Sequence, residues 1–226
     1  MLHELRVRLK PLVPTRLHGA AKAVASRIAR LWLSGSRVLC PCCGRRFRRF
    51  LRYPAPALYC PGCSSYERHR FLWLVLERRS ELLGGRSSVL HVAPEPSIQR
   101  ALARAGIDDY LSIDLEYRLA MQRMDVTDLD LADDRFDLVL CSHVLELVPE
   151  RQRAVSELHR VLKPGGVALF QFQVEAQDEL AAELADAGFD VSALVAEEEL
   201  DAQLLVRCGL IAEEKIYVST KPARAS

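Results

Sequence analysis

The stretch Ser88-Val-Leu-His-Val-Ala-Pro-Glu-Pro-Ser-Ile-Gln-Arg100 decides the fold. Val89–Val92 is a short apolar run, two prolines break it, and Ser97 is placed to cap a helix reaching Ala105. A strand that passes through a tight loop into a helix is the opening of a parallel α/β unit. The pattern continues outward with strands over Tyr110–Ile113, Phe136–Cys141 and Val167–Phe172, and helices over Arg151–Leu162 and Asp178–Ala187. A tail adds a strand over Phe189–Val195, a helix over Glu197–Cys208 and a last strand over Lys215–Ser219. Such alternation predicts a mainly parallel sheet with helices on both faces. With 50% hydrophobic and 27% charged residues, a fibrous or generally disordered chain is excluded.

Upstream the character changes. Residues 1–79 hold 17 Lys/Arg against 3 Asp/Glu, and residues 80–226 hold 14 against 27, so the formal charge of +1 conceals a basic and an acidic part. The basic part suits a phosphate-rich partner, or it packs on the acidic one. Five of the seven cysteines fall between Cys40 and Cys63, which points to metal rather than disulfides and to a reducing, cytoplasmic compartment. Cys40-Pro-Cys-Cys43 and Cys60-Pro-Gly-Cys63 are two Cys-x2-Cys pairs sixteen residues apart. Each pair aims two thiolates at one ion, so Cys40, Cys43, Cys60 and Cys63 are expected to hold Zn²⁺ tetrahedrally. Four protein ligands leave no place for a reacting water, which makes the expected zinc structural. Cys42 is the spare and is expected to face outward.

Between the pairs, Arg45 to Tyr53 interleaves arginines with Phe47, Phe50 and Tyr53, a composition that suits RNA through phosphate contacts and base stacking. The plainer reading puts Phe47 and Phe50 inside the ribbon's own small core. Thr15 to Leu33 has the spacing of a basic amphipathic helix, able to lie on an anionic membrane or to cover its own protein. No signal peptide is legible, and no run approaches the ~20 apolar residues of a membrane span. The expected organisation is a basic helical segment over 1–36, a zinc ribbon over 37–65, a linking helix over 66–87 and an α/β domain over 88–226.

The motifs, taken in order, add a resemblance. They are the two Cys-Pro-x-Cys pairs, Glu67-Arg-His-Arg70, Leu90-His-Val-Ala-Pro-Glu95, Asp114-Leu-Glu116, Met124-Asp-Val-Thr127, Phe136 to Glu146, and Leu158 to Lys163-Pro-Gly-Gly166. Over roughly residues 36–220 the chain resembles bacterial class I S-adenosylmethionine (SAM)-dependent methyltransferases of the type 11 group, preceded by a four-cysteine zinc ribbon. The resemblance implies a Rossmann-like, seven-stranded sheet and SAM as cofactor. It places His91, Ala93 and Glu95 at the cofactor loop, Asp114 or Glu116 on the ribose hydroxyls, Asp125 and Val126 at the adenine, and Cys141 and Ser142 at the lip of the fourth strand. An aspartate that ends a strand is also a common turn former.

His143 is the candidate base, since imidazole titrates near neutrality and the residue would sit beside the methyl group; a histidine there can equally be a packing residue. His69, His91 and His159 read as structural. Three features depart from the group: the loop after the first strand has no glycine, the segment after Phe172 is short, and Leu147 stands where histidine is common. The expected activity is methyl transfer to a small molecule, lipid or glycan intermediate. RNA methylation through the basic ribbon and a non-catalytic SAM-binding adaptor are the alternatives.

Overall fold

A computed structural model describes residues 31–52, 57–83, 87–116 and 119–223. Most of the helix expected over Thr15–Leu33 lies outside these residues, as do Gly84 and Gly85. The N-terminal module consists of two antiparallel pairs, β1 (Ser34–Cys40) with β2 (Arg45–Phe47) and β3 (Leu51–Arg52) with β4 (Leu58–Tyr59). Helix α1 (Glu67–Arg78) follows, then β5 (Val89–Val92), α2 (Pro96–Arg104), β6 (Tyr110–Asp114), β7 (Gln122–Arg123) and β8 (Phe136–Ser142). The remainder is α3 (Arg151–Val161), β9 (Leu162–Gln171), α4 (Gln177–Asp186), β10 (Asp190–Val195), α5 (Ala196–Glu199), α6 (Ala202–Cys208) and β11 (Lys215–Thr220).

Strands β5 to β11 form one seven-stranded sheet in the order β10-β11-β9-β8-β5-β6-β7, with β11 alone antiparallel to its neighbours. This is the class I methyltransferase, Rossmann-like fold. The chain enters at β5, winds outward to β7, then crosses to β8 and winds the other way. The crevice between the carboxyl ends of β5 and β8 is therefore the topological switch point, where open α/β sheets take their ligands.

Period-two alternation sorts the buried strand residues into two cores. Leu138 and Leu140 join a layer with Val89, Ile98 and Phe71 to Leu76, whereas Val139 and Cys141 join α3 and α4 on the other face. Helix α1, expected as a link, has Phe71, Leu72 and Leu76 wholly buried in the first of these cores, together with Phe47, Phe50 and the cysteines. The module and the sheet thus share one apolar interior.

Most boundaries differ from the sequence reading by a single residue; β9 begins at Leu162 rather than Val167, so Lys163-Pro-Gly-Gly166 lies within the strand, and two helices differ for clear reasons. Ser97 does not cap α2: Glu95 holds the cap position and Pro96 takes the first helical turn, where a missing N–H costs nothing. The helix expected over Glu197–Cys208 is two, because Leu200 is extended and Asp201 starts α6 afresh by accepting the Leu204 N–H at 2.8 Å.

Candidate active site and metal centre

The Sγ atoms of Cys40, Cys43, Cys60 and Cys63 all lie within 4.8 Å of one another, with Cys40 to Cys63 at 3.6 Å and Cys43 to Cys60 at 3.8 Å. Four sulfurs at about 2.3 Å from a central zinc are separated by about 3.8 Å along each tetrahedral edge, so the set fits the ion. Cys42 does not face outward. Its thiol is buried and donates to the His69 carbonyl at 3.4 Å, because the turn closed by the 2.8 Å Gly44 N–H to Cys40 carbonyl bond points it at α1.

Phe47 and Phe50 are also buried, and among the described residues of that run only the arginines remain exposed. Phe50 supports the fully buried guanidinium of Arg70, 4.1 Å above its ring. Arg70 donates from Nε to the Cys208 carbonyl, from Nη1 to those of Ser65 and Leu58, and from Nη2 to that of Gly209, at 2.7 to 3.1 Å. One side chain therefore ties the module, α1 and the end of α6 together.

At the switch point both inner strands end in the same unusual way. Ala93 follows β5 with φ 48° and His143 follows β8 with φ 53°. Each still extends its ladder, Ala93 N–H to the Ile113 carbonyl and His143 N–H to that of Gln171, both at 2.8 Å. Left-handed backbone in a residue with a side chain costs on the order of 1–2 kcal/mol and gathers at functional sites. Ala93 thus adopts the turn that a glycine would make easily, which the sequence alone did not reveal.

His91 is wholly buried, with Nε2 2.9 Å from a Glu95 oxygen and Nδ1 3.0 Å from the Tyr110 hydroxyl. Burial would raise the Glu95 carboxyl, but the hydrogen bond and charge of His91 outweigh it and hold the group below its ordinary value. His91 Nε2–H accordingly donates to Glu95, and Nδ1 pairs with the Tyr110 hydroxyl. The other Glu95 oxygen lies 3.6 Å from His69 Nε2. His91 therefore acts behind the loop, through Glu95.

The Cys141 thiol sits in the core rather than at the lip, and desolvation pushes it well above its ordinary range. Only the backbone of Cys141 reaches the crevice end of β8. Ser142 Oγ donates to Gln171 Oε1 at 3.0 Å, and Gln171 Nε2 donates to the Arg68 carbonyl at 3.2 Å, so the start of α1 is fastened over β8 and β9. His143 forms the lip, its Nδ1 3.0 Å from Glu146 Oε1, which also accepts the Gln173 N–H at 3.3 Å. Burial of Glu146 is again outweighed, here by His143, and the carboxyl stays ionised.

Asp114 ends β6, half-buried, with Oδ1 accepting the Glu116 N–H at 2.7 Å; Glu116 itself is exposed. Asp125 is exposed beyond β7 and accepts from Thr127 N–H and Oγ1 at 2.9 and 2.8 Å, bonds that hold it below the usual carboxylate range. Val126 beside it is buried. Ala93, Glu95, Ser142 and His143 thus converge on the crevice, while Asp114 and Glu116 lie one strand away and Asp125 and Val126 lie beyond β7, further toward that edge of the sheet. Sequence reasoning missed the environment of four atoms near this mouth. Arg68 Nε, His69 Nε2, His143 Nε2 and Glu146 Oε2 are buried without a hydrogen-bond partner among the described residues.

Residues 81–170 match the family described as "Methyltransferase domain". Two curated relatives also match. An arsenite methyltransferase from Aquipseudomonas alcaligenes is 33% identical over 109 residues, 46% of this chain and 31% of that protein. A phosphatidylethanolamine N-methyltransferase from Cereibacter sphaeroides is 41% identical over 46 residues, 20% of this chain and 23% of that protein. The chain thus spans under a third of the length of either relative. Among solved structures, a SAM-dependent methyltransferase from Mesorhizobium loti superimposes with a TM-score of 0.50 at 20% identity, covering 67% of this chain and 97% of that one. Strand order and the solved structure agree on a class I methyltransferase fold, within which residues 81–170 match the methyltransferase domain family.

Proposed function

We propose that this protein is a SAM-dependent methyltransferase acting on a small molecule, lipid or glycan intermediate, with His143 as the general base and a structural zinc held by Cys40, Cys43, Cys60 and Cys63. The observation that carries the reading is the His143–Glu146 pair at the switch point. An ionised Glu146 accepts the Nδ1–H of His143, which in the neutral form of the ring leaves the unpartnered Nε2 as its bare nitrogen. That is the state a proton acceptor needs.

When bound, the cofactor supplies a methyl group on a positively charged sulfur, a good leaving group. The residues fit such a guest: the crevice end of the sheet carries the Glu95 and Glu146 carboxylates, suited to a cation, and Asp114 offers an oxygen to a ribose diol at the end of the next strand. His91 holds Glu95 in place. Asp125 and Val126 flank the adenine, and the backbone at Ala93, Cys141 and Ser142 lines the floor. Holding donor and acceptor in line accounts for most of the rate.

The burial of Phe47 and Phe50 takes two of the run's aromatic faces away from RNA bases, Tyr53 lying outside the described residues, which favours the smaller acceptors. The substrates named for the two relatives do not carry over, because the matched segments are minor parts of those proteins. Calorimetric titration with SAM tests the reading. Asp114→Ala is expected to weaken binding at least tenfold, about 1.4 kcal/mol, while leaving the thermal transition in place. Unchanged affinity moves the ribose contact to Glu116, and an absence of binding to the wild-type protein ends the proposal.

A further inference from the structure

His69 lies outside the segment matched to the methyltransferase domain. Its Nδ1 accepts the backbone N–H of Tyr66 at 3.2 Å and lies 3.3 Å from Ser97 Oγ. Burial lowers its pKa to about 4, so the ring is neutral and its one proton must be on Nε2. The Nε2 atom is buried and finds no hydrogen-bond partner among the described residues, Glu95 being 3.6 Å away. His143 is the complement: Nδ1–H faces the Glu146 carboxylate, so in the neutral form of the ring the equally buried Nε2 is the bare nitrogen. The two residues sit at the same end of the sheet on either side of Gln171, whose Nε2 donates to the Arg68 carbonyl at 3.2 Å and whose carbonyl accepts the His143 N–H at 2.8 Å. Arg68 Nε adds a second unmatched donor from the same turn of α1.

We infer that His69 is a further residue of the acceptor site, and that a hydroxyl group of the acceptor sits between His69 Nε2–H and His143 Nε2. This rests on the methyltransferase reading above. A hydroxyl both accepts and donates, so a single oxygen satisfies both orphaned ring atoms. A carbon or thioether nucleophile satisfies neither, and a protonated amine has no lone pair for His69. As the oxygen lone pair forms the O–CH3 bond, the hydroxyl proton moves to His143 Nε2, and the pair of the breaking S–CH3 bond remains on sulfur. The imidazolium is offset by Glu146. His69 keeps its proton throughout and fixes the direction of the remaining lone pair.

The inference also gives the cysteine module a task. Cys42 donates to the His69 carbonyl, Ser65 Oγ lies 3.2 and 3.3 Å from the Sγ atoms of Cys40 and Cys63, and Tyr66 N–H sets the ring. The module thereby holds the first turn of α1, and with it His69, over the crevice.

The test has two readouts. In 15N spectra of histidine-labelled protein at neutral pH without ligand, His69 is expected as the Nε2–H form and His143 as the Nδ1–H form. The opposite tautomer at either ring overturns the inference. In the second, the full-length protein, His69→Leu and His69→Gln are titrated with SAM, then incubated with methyl-labelled SAM and a small-molecule extract of the source cells. All three should bind SAM alike. Transfer should fall about a hundredfold or more in His69→Leu and recover in part in His69→Gln, whose amide N–H reaches the same place, with the label cleaved by hydriodic acid as a methyl ether is. Equal transfer by His69→Leu, or label fixed on nitrogen or carbon, removes the inference while the methyltransferase reading stands. Loss of SAM binding by the wild-type protein removes both.

Discussion

Arg68 and Arg70 are two residues apart on one helix and meet opposite conditions. Arg70 points into the cysteine module, where four carbonyls and the Phe50 ring engage its whole guanidinium. Arg68 faces the mouth of the sheet, stacks 5.0 Å over Tyr66, and has a buried Nε with no partner among the described residues. Burying a donor without a partner costs about 1–3 kcal/mol, so a folded chain rarely leaves several together. The contrast separates a region whose described buried donors are all met from one that, on the proposed function, a bound molecule would complete.

The strongest way to break the contrast is to remove the metal expected in the complete region. Structural zinc contributes about 10–16 kcal/mol in small modules. Chelation is therefore expected to unfold residues 34–65 and loosen α1, read as lost helix signal and a fallen melting temperature, with one zinc released per chain. A chain that keeps its melting temperature after chelation has a module held by packing alone.

Next comes Arg70→Met. It abandons four carbonyls at once, and leaving partners of a buried charge unmatched typically costs about 3–5 kcal/mol. Chemical denaturation should show a loss of that size, whereas Arg68→Met should be near neutral for stability and act on transfer instead. Similar losses for both variants would erase the distinction between the two regions.

A smaller effect follows from His69. Desolvation is the main cause of its low pKa, with Arg68, Arg70 and His143 adding to it and Glu95 opposing. Between its ordinary 6.5 and about 4 the unfolded chain takes up a proton that the folded chain refuses. The stability present above pH 6.5 is therefore lost as the pH falls through that window, by on the order of 3 kcal/mol. His69→Gln should flatten this part of the pH–stability curve; an unchanged slope would assign the acid sensitivity elsewhere.

The strands and most of the helices were legible because period-two and period-3.6 patterns are written into short windows, and Cys-x2-Cys spacing carries its own geometry. Ser97 misled because Pro96 supplied a better first helical residue. Phe47 and Phe50 are buried as the plainer reading of their run expects, whereas Arg70 was hidden because its burial depends on α6, which arrives more than 130 residues later in the chain. Cys141 read as a lip residue because strand ends look open, yet side-chain alternation turns it inward. His69 read as structural because nothing in its own window reports that its free nitrogen faces the ends of strands far along the sequence.

The left-handed backbone at Ala93 has a consequence for tolerance to change. Valine or isoleucine at 93 meets a steric penalty that no neighbour can relieve, whereas glycine exchanges that penalty for a freer unfolded chain and comes out nearly even. A loop without glycine thus still makes the close turn at the strand ends.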